Sequence, residues 1–334
     1  MQKTILRLTT ILLILFLLGG LNGSVTANSS DTPERVHLTW QSDDTAHTMT
    51  ITWWTPTKNT DDNVLYDTVS RDGAPENYAY SENGSHHTFT NFNGYIHDVE
   101  LTNLSPDTTY YFICGGENGG YSQEWSFQTA PTTSENLKFA AGGDSRPLHS
   151  GEARPSDFPE NRDLLSQEMA TRNPAFAIYT GGFVLDSDSG DQWENWFDAM
   201  QKYWVTSENR MIPIIPTIGN HEITYPQPQK YSPKNDAPYY YEQFALPENE
   251  RWYSLDWGPD LHITILDSEI LDRDSKIWNE QKSWLEDDLS QHEDFRWKIV
   301  AFHRPPPSVQ THLTGAILEF ERNGLNYSTL TESI

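Results

Sequence analysis

Cysteine is almost absent from this chain: its 334 residues include only one, Cys114. A single cysteine cannot form a disulfide within the chain, so the fold must be held by its apolar core, by bound metal, or by both. Cys114 ends the apolar run YYFIC, and this setting predicts a buried small hydrophobic residue rather than a reactive thiol.

Positive charge is also scarce, because 22 lysines and arginines stand against 48 aspartates and glutamates. The formal net charge of -26 excludes nucleic acid and anionic lipid as general partners, since both are polyanions. It leaves open a local cation site within the acidic surface.

Apolar runs long enough to cross a membrane are missing, and the run that comes nearest lies at the N-terminus. Lys3 and Arg7 give a basic start, residues 11–18 are all apolar, and small residues precede position 28. This order is typical of a secretory signal peptide, predicted here over residues 1–27. The run is shorter than the ~20 residues of a span. We therefore favour a cleaved signal and a secreted, extracellular or cell-surface protein over a retained anchor.

The pattern after this segment divides into two parts. Residues 33–130 contain short alternating segments rich in threonine, valine, tyrosine and tryptophan, and no convincing helix. The segments predicted to be strands are VHLTW, MTITWW, HHTFTNF, HDVEL, TYYFIC and WSFQT. Two packed antiparallel sheets are the expected arrangement. In the stretch LSPDTTYYF, the order leading to Tyr110 is typical of the tyrosine corner of fibronectin-type sandwiches, in which the phenol hydroxyl holds the incoming loop.

Residues 131–136 read as a polar linker, and the pattern changes after it. From residue 137 to residue 334, buried-type strands such as PAFAIYTGG alternate with helical segments such as DQWENWFDAMQKYW. Alternation of strand and helix predicts an α/β domain. Polar residues gather just after the strands, where such domains place their sites.

Four strand ends carry the residues of interest: Asp144 in GGDSR, Gly182 in YTGGFVLD, Asn220 and His221 in IGNHE, and His303 in AFHRPP. Carboxylate, amide oxygen and imidazole are ligands that suit manganese, iron or zinc. The motifs lie far apart in the sequence, so only a folded sheet edge would bring them together.

The order of these motifs resembles that of the purple acid phosphatases, within the wider calcineurin-like metallophosphoesterases. GNHE and VAFHRPP carry the resemblance most strongly, and the fibronectin-like segment beginning PERVHLTW precedes them. The resemblance implies a fibronectin III-like sandwich followed by an αββα metallophosphoesterase domain. It also implies an acid phosphatase that hydrolyses phosphate monoesters with a metal-bound hydroxide at a dinuclear iron, zinc or manganese centre.

The resemblance also implies roles for individual residues. Asp144 would bind the first metal, and Asn220 and His303 would bind the second. His221 would be the catalytic residue beside the substrate phosphate, as a hydrogen-bond or proton donor.

Two arginines are candidates for substrate binding. Arg146 stands where the family has glycine, close to Asp144, and a planar guanidinium can hold two phosphate oxygens. Arg304 is the second candidate, with a salt bridge as the alternative. His97 and His262 lie in strand patterns and are more often core or surface histidines than ligands.

The chain departs from the family pattern in its second and last motifs. The expected bridging aspartate is replaced by Gly182, and the expected tyrosine, whose phenolate gives the purple colour, is replaced by Leu185. The family's last motif, Gly-His-x-His, does not occur in the sequence. We therefore expect a colourless protein and a phosphoesterase domain that is incomplete at its C-terminus.

The missing carboxylate bears directly on metal binding. Two divalent ions ~3.5–4 Å apart repel by roughly 18 kcal/mol at an effective dielectric near 20, and a bridging carboxylate is the main fixed charge that offsets this. Asp186 or Asp188 could replace it only if the FVL segment folded out of the way. We expect reduced or absent metal occupancy, with a mononuclear site on Asp144 or Asn220 and His303 as the remaining possibility.

Two functions follow from the sequence. The first is an exported metal-dependent phosphatase acting on a phosphate monoester. The alternative is a catalytically lapsed or truncated phosphoesterase that serves as an extracellular binding or structural module. Because an incomplete sheet exposes an unpaired edge, a partner or self-association over that edge is expected as well.

Overall fold

The computed structural model of the protein describes residues 31–58, 61–146, 158–224, 232–270 and 274–304. The predicted signal peptide, residues 1–27, lies outside the described residues. So do residues 305–334, on which the expected incomplete C-terminus and exposed sheet edge depend. The signal peptide, the incomplete C-terminus and the exposed sheet edge all stay predictions.

The N-terminal part is built from antiparallel strands, as the alternating pattern predicted. One sheet has the order β1-β2-β6-β5, and the other has the order β4-β3-β7-β8, with β9 also paired to β7. In chain order the strands are β1 Glu34–Thr39, β2 Met49–Thr55, β3 Asn63–Asp67, β4 Tyr80–Asn83, β5 Ser85–His87, β6 Tyr95–Leu101, β7 Thr109–Gly116, β8 Gly120–Tyr121 and β9 Trp125–Gln128.

The core between these sheets is aromatic, which compensates for the lack of disulfides. Trp53 and Phe112 are among its fully buried side chains, and burial raises the pKa of Cys114 to about 12, so this thiol is inert as predicted. The tyrosine corner is confirmed, because the amide of Ser105 donates to the hydroxyl of Tyr110 over 2.8 Å.

One strand prediction in this part was wrong. The segment HHTFTNF, residues 86–92, leaves the sheet after His87. Phe89 and Phe92 stack on each other with centroids 4.4 Å apart, and both contact Tyr239 edge-on. A three-residue spacing cannot put two rings on one face of a strand, so the chain turns here to pack against the second part of the molecule.

The second part alternates strands with helices and has two sheets, which confirms the predicted fold class. The parallel sheet is β10-β11-β12, and the mixed sheet is β13-β14-β15, with β13 antiparallel to β14. The strands are β10 Ala140–Gly142, β11 Ala177–Tyr179, β12 Ile214–Pro216, β13 Tyr253–Trp257, β14 Leu261–Ile265 and β15 Trp297–Ala301. The helices are α1 Phe158–Thr171, α2 Gly190–Tyr203, α3 Pro233–Asp236, α4 Pro238–Tyr241 and α5 Ser275–Gln291.

The two sheets and the two parts of the chain are joined by specific contacts. The hydroxyl of Tyr253 on β13 donates to the carbonyl of Pro216 at the end of β12 over 2.7 Å, which ties one sheet to the other. Arg35 on β1 forms ion pairs with Glu194 and Asp198 on α2. Within the described residues, no helix is both long and apolar enough to span a bilayer.

Candidate active site

A glycine turn follows β11 and forms the centre of the candidate site. Gly181 and Gly182 have φ of 77° and 72°, a left-handed conformation that favours glycine. A Cβ on Gly182 would lie 2.5 Å from Oδ1 of Asp144, and one on Gly181 would lie 2.8 Å from Nδ1 of His303. A side chain is therefore excluded at both positions, and Asp144 lies against Gly182 while His303 lies against Gly181.

The buried carboxylate of Glu222 holds this turn in place. It accepts hydrogen bonds from the amides of Phe183 over 2.8 Å, Gly182 over 2.9 Å and Gly219 over 2.9 Å. Burial raises the pKa of Glu222, and these amides oppose that effect. Sequence reasoning missed this residue, although its place at the end of GNHE offered a signal.

The segment after β10 is fastened to the same turn through its backbone. The amide of Asp144 donates to the carbonyl of Gly181 over 2.8 Å, and the amide of Arg146 donates to that of Gly182 over 3.0 Å. Nε of Arg146 lies 3.5 Å from Oδ1 of Asp144 and has no hydrogen bond within the described residues. An arginine and a carboxylate thus stand together beside the glycines.

Asn220 and His303 present two ligand atoms to each other. Nδ1 of His303 donates to the carbonyl of Thr180 over 2.7 Å, because a carbonyl can only accept. In the neutral ring Nε2 then carries a lone pair, and it faces Oδ1 of Asn220 over 2.8 Å. Two acceptors so close repel each other unless a proton or a cation is shared between them.

His221 is oriented by the backbone of Leu185, at the position where the resemblance implies a tyrosine. Its Nδ1 donates to the carbonyl of Leu185 over 2.7 Å, so the backbone rather than a phenolate acts at this position. Burial lowers the pKa of His221, and the neighbouring charges of Arg146 and His303 lower it further. With no phosphate bound, the ring is therefore neutral, and its Nε2 carries a lone pair.

The two acids that could have replaced the bridging aspartate are engaged elsewhere. Asp188 accepts from the hydroxyl of Thr224 over 3.2 Å, and Asp186 accepts from the amide of Asp188 over 3.3 Å. No hydrogen bond in the described part of the chain joins either carboxylate to Gly182 or Asp144. Phe183 and Val184, which would have to fold out for either acid to reach the bridging position, are buried.

Arg304 makes the salt bridge that was the alternative to substrate binding. Its guanidinium lies 2.6 Å from Oε2 of the buried Glu269, and its amide donates to the hydroxyl of Ser268 over 3.0 Å. Burial raises the pKa of the neighbouring Asp267 to about 6, and Asp267 accepts from the amide of Glu269, which caps the turn. A role for Arg304 in phosphate binding stays a prediction.

These residues fit one cation better than two. Asn220 and His303 place an oxygen and a nitrogen 2.8 Å apart, a spacing that neighbouring ligands of one ion adopt. Asp144 adds a carboxylate beside the same turn, 62% exposed in its side chain. At Gly182 the structure has neither a carboxylate nor room for one, so within the described residues the bridging ligand of a dinuclear centre is missing.

A two-sheet α/β domain that brings carboxylate, amide and imidazole ligands from separate strand ends to one turn has the architecture of a metallophosphoesterase. The chain belongs to the calcineurin-like phosphoesterase family, since residues 137–328 match its family model. Residues 33–129 match the model of the purple acid phosphatase N-terminal domain. The family implies a divalent metal.

Characterised relatives and a solved structure agree with this family. The chain is 27% identical over 302 residues to purple acid phosphatase 18 of Arabidopsis thaliana, covering 83% of this chain and 57% of the relative. It is 28% identical over 314 residues to human acid phosphatase type 7, covering 88% of this chain and 63% of the relative. A purple acid phosphatase from yellow lupin (Lupinus luteus) seeds shares the fold, with a TM-score of 0.63, 17% identity, and coverage of 82% of this chain and 51% of that one. The chain thus spans less than two thirds of the length of these proteins.

Proposed function

We propose that this chain is an exported phosphate-monoester hydrolase of the purple acid phosphatase type that works with a reduced, single-cation centre. One observation carries the proposal: Asp144, Asn220 and His303, from three separate strand ends, meet around the Gly181–Gly182 turn beside Arg146. Two relatives that match along most of the chain are named acid phosphatases, which supports the same reaction.

The proposal assigns each residue a task. Asn220 and His303, with Asp144, hold the cation, which when bound supplies Lewis-acid activation of a phosphoryl oxygen or a water. Arg146 grips two phosphate oxygens with its guanidinium. His221, fixed through Nδ1 on the carbonyl of Leu185, donates from Nε2 to the phosphate only when the ring is protonated, and the negative charge of a bound phosphate favours that form against the effect of burial.

A second candidate function has an observation of its own. The turn at Gly182 has no space for a bridging carboxylate, so the centre cannot be completed by a side chain at this position without moving Asp144. This favours a lapsed phosphoesterase that binds phosphate groups without hydrolysing them and acts as an extracellular module. The iron, zinc or manganese of the family would then bind weakly or not at all.

The test compares turnover with binding in the same variants. Hydrolysis of p-nitrophenyl phosphate is measured with zinc, manganese or iron added, and phosphate binding is measured by calorimetry. A hydrolase loses at least about 100-fold in kcat/KM when Asn220→Ala or His303→Ala removes a ligand of the group that stabilises the transition state. Asp186→Asn, on the loop that faces Thr224, serves as the matched control and keeps full activity.

The two candidates give different results. Absent turnover with phosphate binding that Arg146→Ala abolishes would establish the binding module. Turnover that is insensitive to both ligand variants would contradict the assignment of the centre. Absence of turnover and of phosphate binding would contradict both functions.

A further inference from the structure

A second group of candidate metal ligands lies in the N-terminal sandwich, away from the glycine turn. His86 on β5 and His97 on β6 are direct cross-strand partners, and Asp62 immediately precedes β3 of the other sheet. The amide of Gly84 donates to the carbonyl of Asp62 over 2.8 Å, which holds the two sheets together here. The three side chains therefore join three elements of the sandwich.

The ligand atoms of this group are close together. Nδ1 of His97 lies 2.6 Å from Oδ1 of Asp62, and Nδ1 of His86 lies 2.8 Å from Oδ2 of the same carboxylate. The candidate ligand atoms all lie within 4.8 Å of one another. The two rings are tilted by 42° with centroids 5.5 Å apart, so they are not stacked, and their Nδ1 atoms both point to one carboxylate.

The outer nitrogen of His97 is held in the way that a metal-binding histidine requires. Nε2 lies 2.7 Å from Oγ1 of Thr55, and that hydroxyl donates to the carbonyl of Thr57 over 3.1 Å. In the tautomer that donates from Nε2–H to Oγ1, the lone pair of Nδ1 faces the carboxylate of Asp62, and these two acceptors need a proton or a cation between them. Trp53 stacks on the ring with an interplanar angle of 4° and fixes its plane.

We propose that Asp62, His86 and His97 bind a divalent transition-metal ion of the zinc class. Two imidazole nitrogens and one carboxylate oxygen are a donor set that zinc and its neighbours accept, with water in the remaining position. The side chains of Asp62 and His86 are 16% and 18% exposed and that of His97 is buried, so the ion is reached from the surface. It fastens the start of β3 to the β5–β6 pair in a domain that has no disulfide.

A similar group in the second part of the chain lacks these properties. Both ring nitrogens of His262 face carboxylates, those of Asp256 over 2.7 Å and Asp288 over 3.0 Å. Burial lowers the pKa of His262, but the two carboxylates outweigh it and raise the pKa to about 9, so the ring is a paired cation. The ring of His292 stacks on that of His262, with centroids 3.9 Å apart and an interplanar angle of 14°. The lone pairs of the two rings therefore lie in nearly parallel planes and do not converge on one point. We therefore interpret this group as ion pairs around His262 and not as a metal site.

The experiment measures metal binding rather than activity. The full chain carries Asn220→Ala and His303→Ala, so that the candidate active site does not contribute, and is freed of metal with a chelator. Zinc binding is followed by calorimetry and by the rise in Tm, and cobalt binding is followed by its visible absorption. We expect one zinc per chain with a higher Tm, and a cobalt spectrum typical of four-coordinate nitrogen and oxygen ligands.

Variants then locate the ion. His86→Gln and Asp62→Asn each abolish the rise in Tm, and Thr55→Val, which removes only the outer partner of His97, weakens binding by about 10–100-fold. His47→Gln, in the exposed His47–Asp44 pair of the same domain, leaves binding unchanged. Absence of binding and of a cobalt band in the parent protein would overturn the proposal and leave a hydrogen-bonded network only. Binding that survives both His86→Gln and Asp62→Asn would overturn it equally.

Discussion

Each part of the molecule has a loop in which a glutamate carboxylate accepts hydrogen bonds from backbone amides beside a glycine of left-handed conformation. Glu124, half-buried in the sandwich, accepts from the amide of Arg71 over 2.8 Å and from that of Gly73 over 3.5 Å. Glu222, fully buried in the phosphoesterase part, accepts from the amides around Gly182. Gly73 and Gly182 have the same φ of 72°.

The two loops differ in what surrounds the glycine. A Cβ on Gly73 would meet nothing within 4 Å, whereas one on Gly182 would meet Asp144 at 2.5 Å. The pKa of Glu124 is lowered, because hydrogen bonds from Ser70 and Tyr78 outweigh burial, while burial raises the pKa of Glu222. The loop at Gly73 therefore has space for a side chain, whereas the turn at Gly182 is confined by Asp144.

The largest effect is expected from removing a carboxylate oxygen. Glu222→Gln replaces an acceptor with an NH₂ group facing buried amides, so the free energy of unfolding should fall by about 3 kcal/mol. Glu124→Gln, whose loop can take hydrogen bonds from water, should cost only about 1 kcal/mol. Urea denaturation of both variants checks the difference. Equal losses would show that the burial of Glu222 does not distinguish the two loops.

A glycine series separates backbone strain from crowding. Gly73→Ala should cost about 1 kcal/mol for the left-handed conformation alone, and Gly182→Ala should cost about 1–3 kcal/mol more, because Asp144 must move as well. Gly142→Ala is the control, since Gly142 has an ordinary φ and open space, and should cost close to nothing. Thermal unfolding of the three variants measures the ranking. A loss at Gly182 no larger than that at Gly73 would contradict the crowding.

The same crowding bears on attempts to restore the family's ligand. Gly182→Asp adds a carboxylate to a turn whose neighbour already fills the space with Oδ1 of Asp144. Activity gained by that substitution would therefore need the turn to rebuild. Gly182 therefore does two things: it leaves the turn without the family's carboxylate, and it allows the left-handed conformation of the turn.

The positions of Asp144, Asn220 and His303 could be predicted from the sequence, because a buried strand followed by a polar residue has a recognisable pattern. The contacts of Glu222 could not, since its partners are backbone amides, which every residue has. Strand β3 was not among the predicted strands, because its five residues lie between turn-forming segments. The sequence could not predict the salt bridge of Arg304, because its partner Glu269 lies 35 positions away and is brought to it only by the fold.

The smallest expected effect concerns pH and the surface loop. Because the folded-state pKa of Glu124 is lowered, its carboxylate stabilises the protein above the unfolded-state value of 4.5, and this contribution is lost as the pH falls through the folded-state pKa. Glu124→Gln should therefore lower Tm slightly at pH 7 and leave it unchanged at the acid end. The measurement is Tm of both proteins between pH 7 and pH 3. A difference that grows as the pH falls would reverse the sign of this contribution and place the loop's stability in contacts other than the carboxylate.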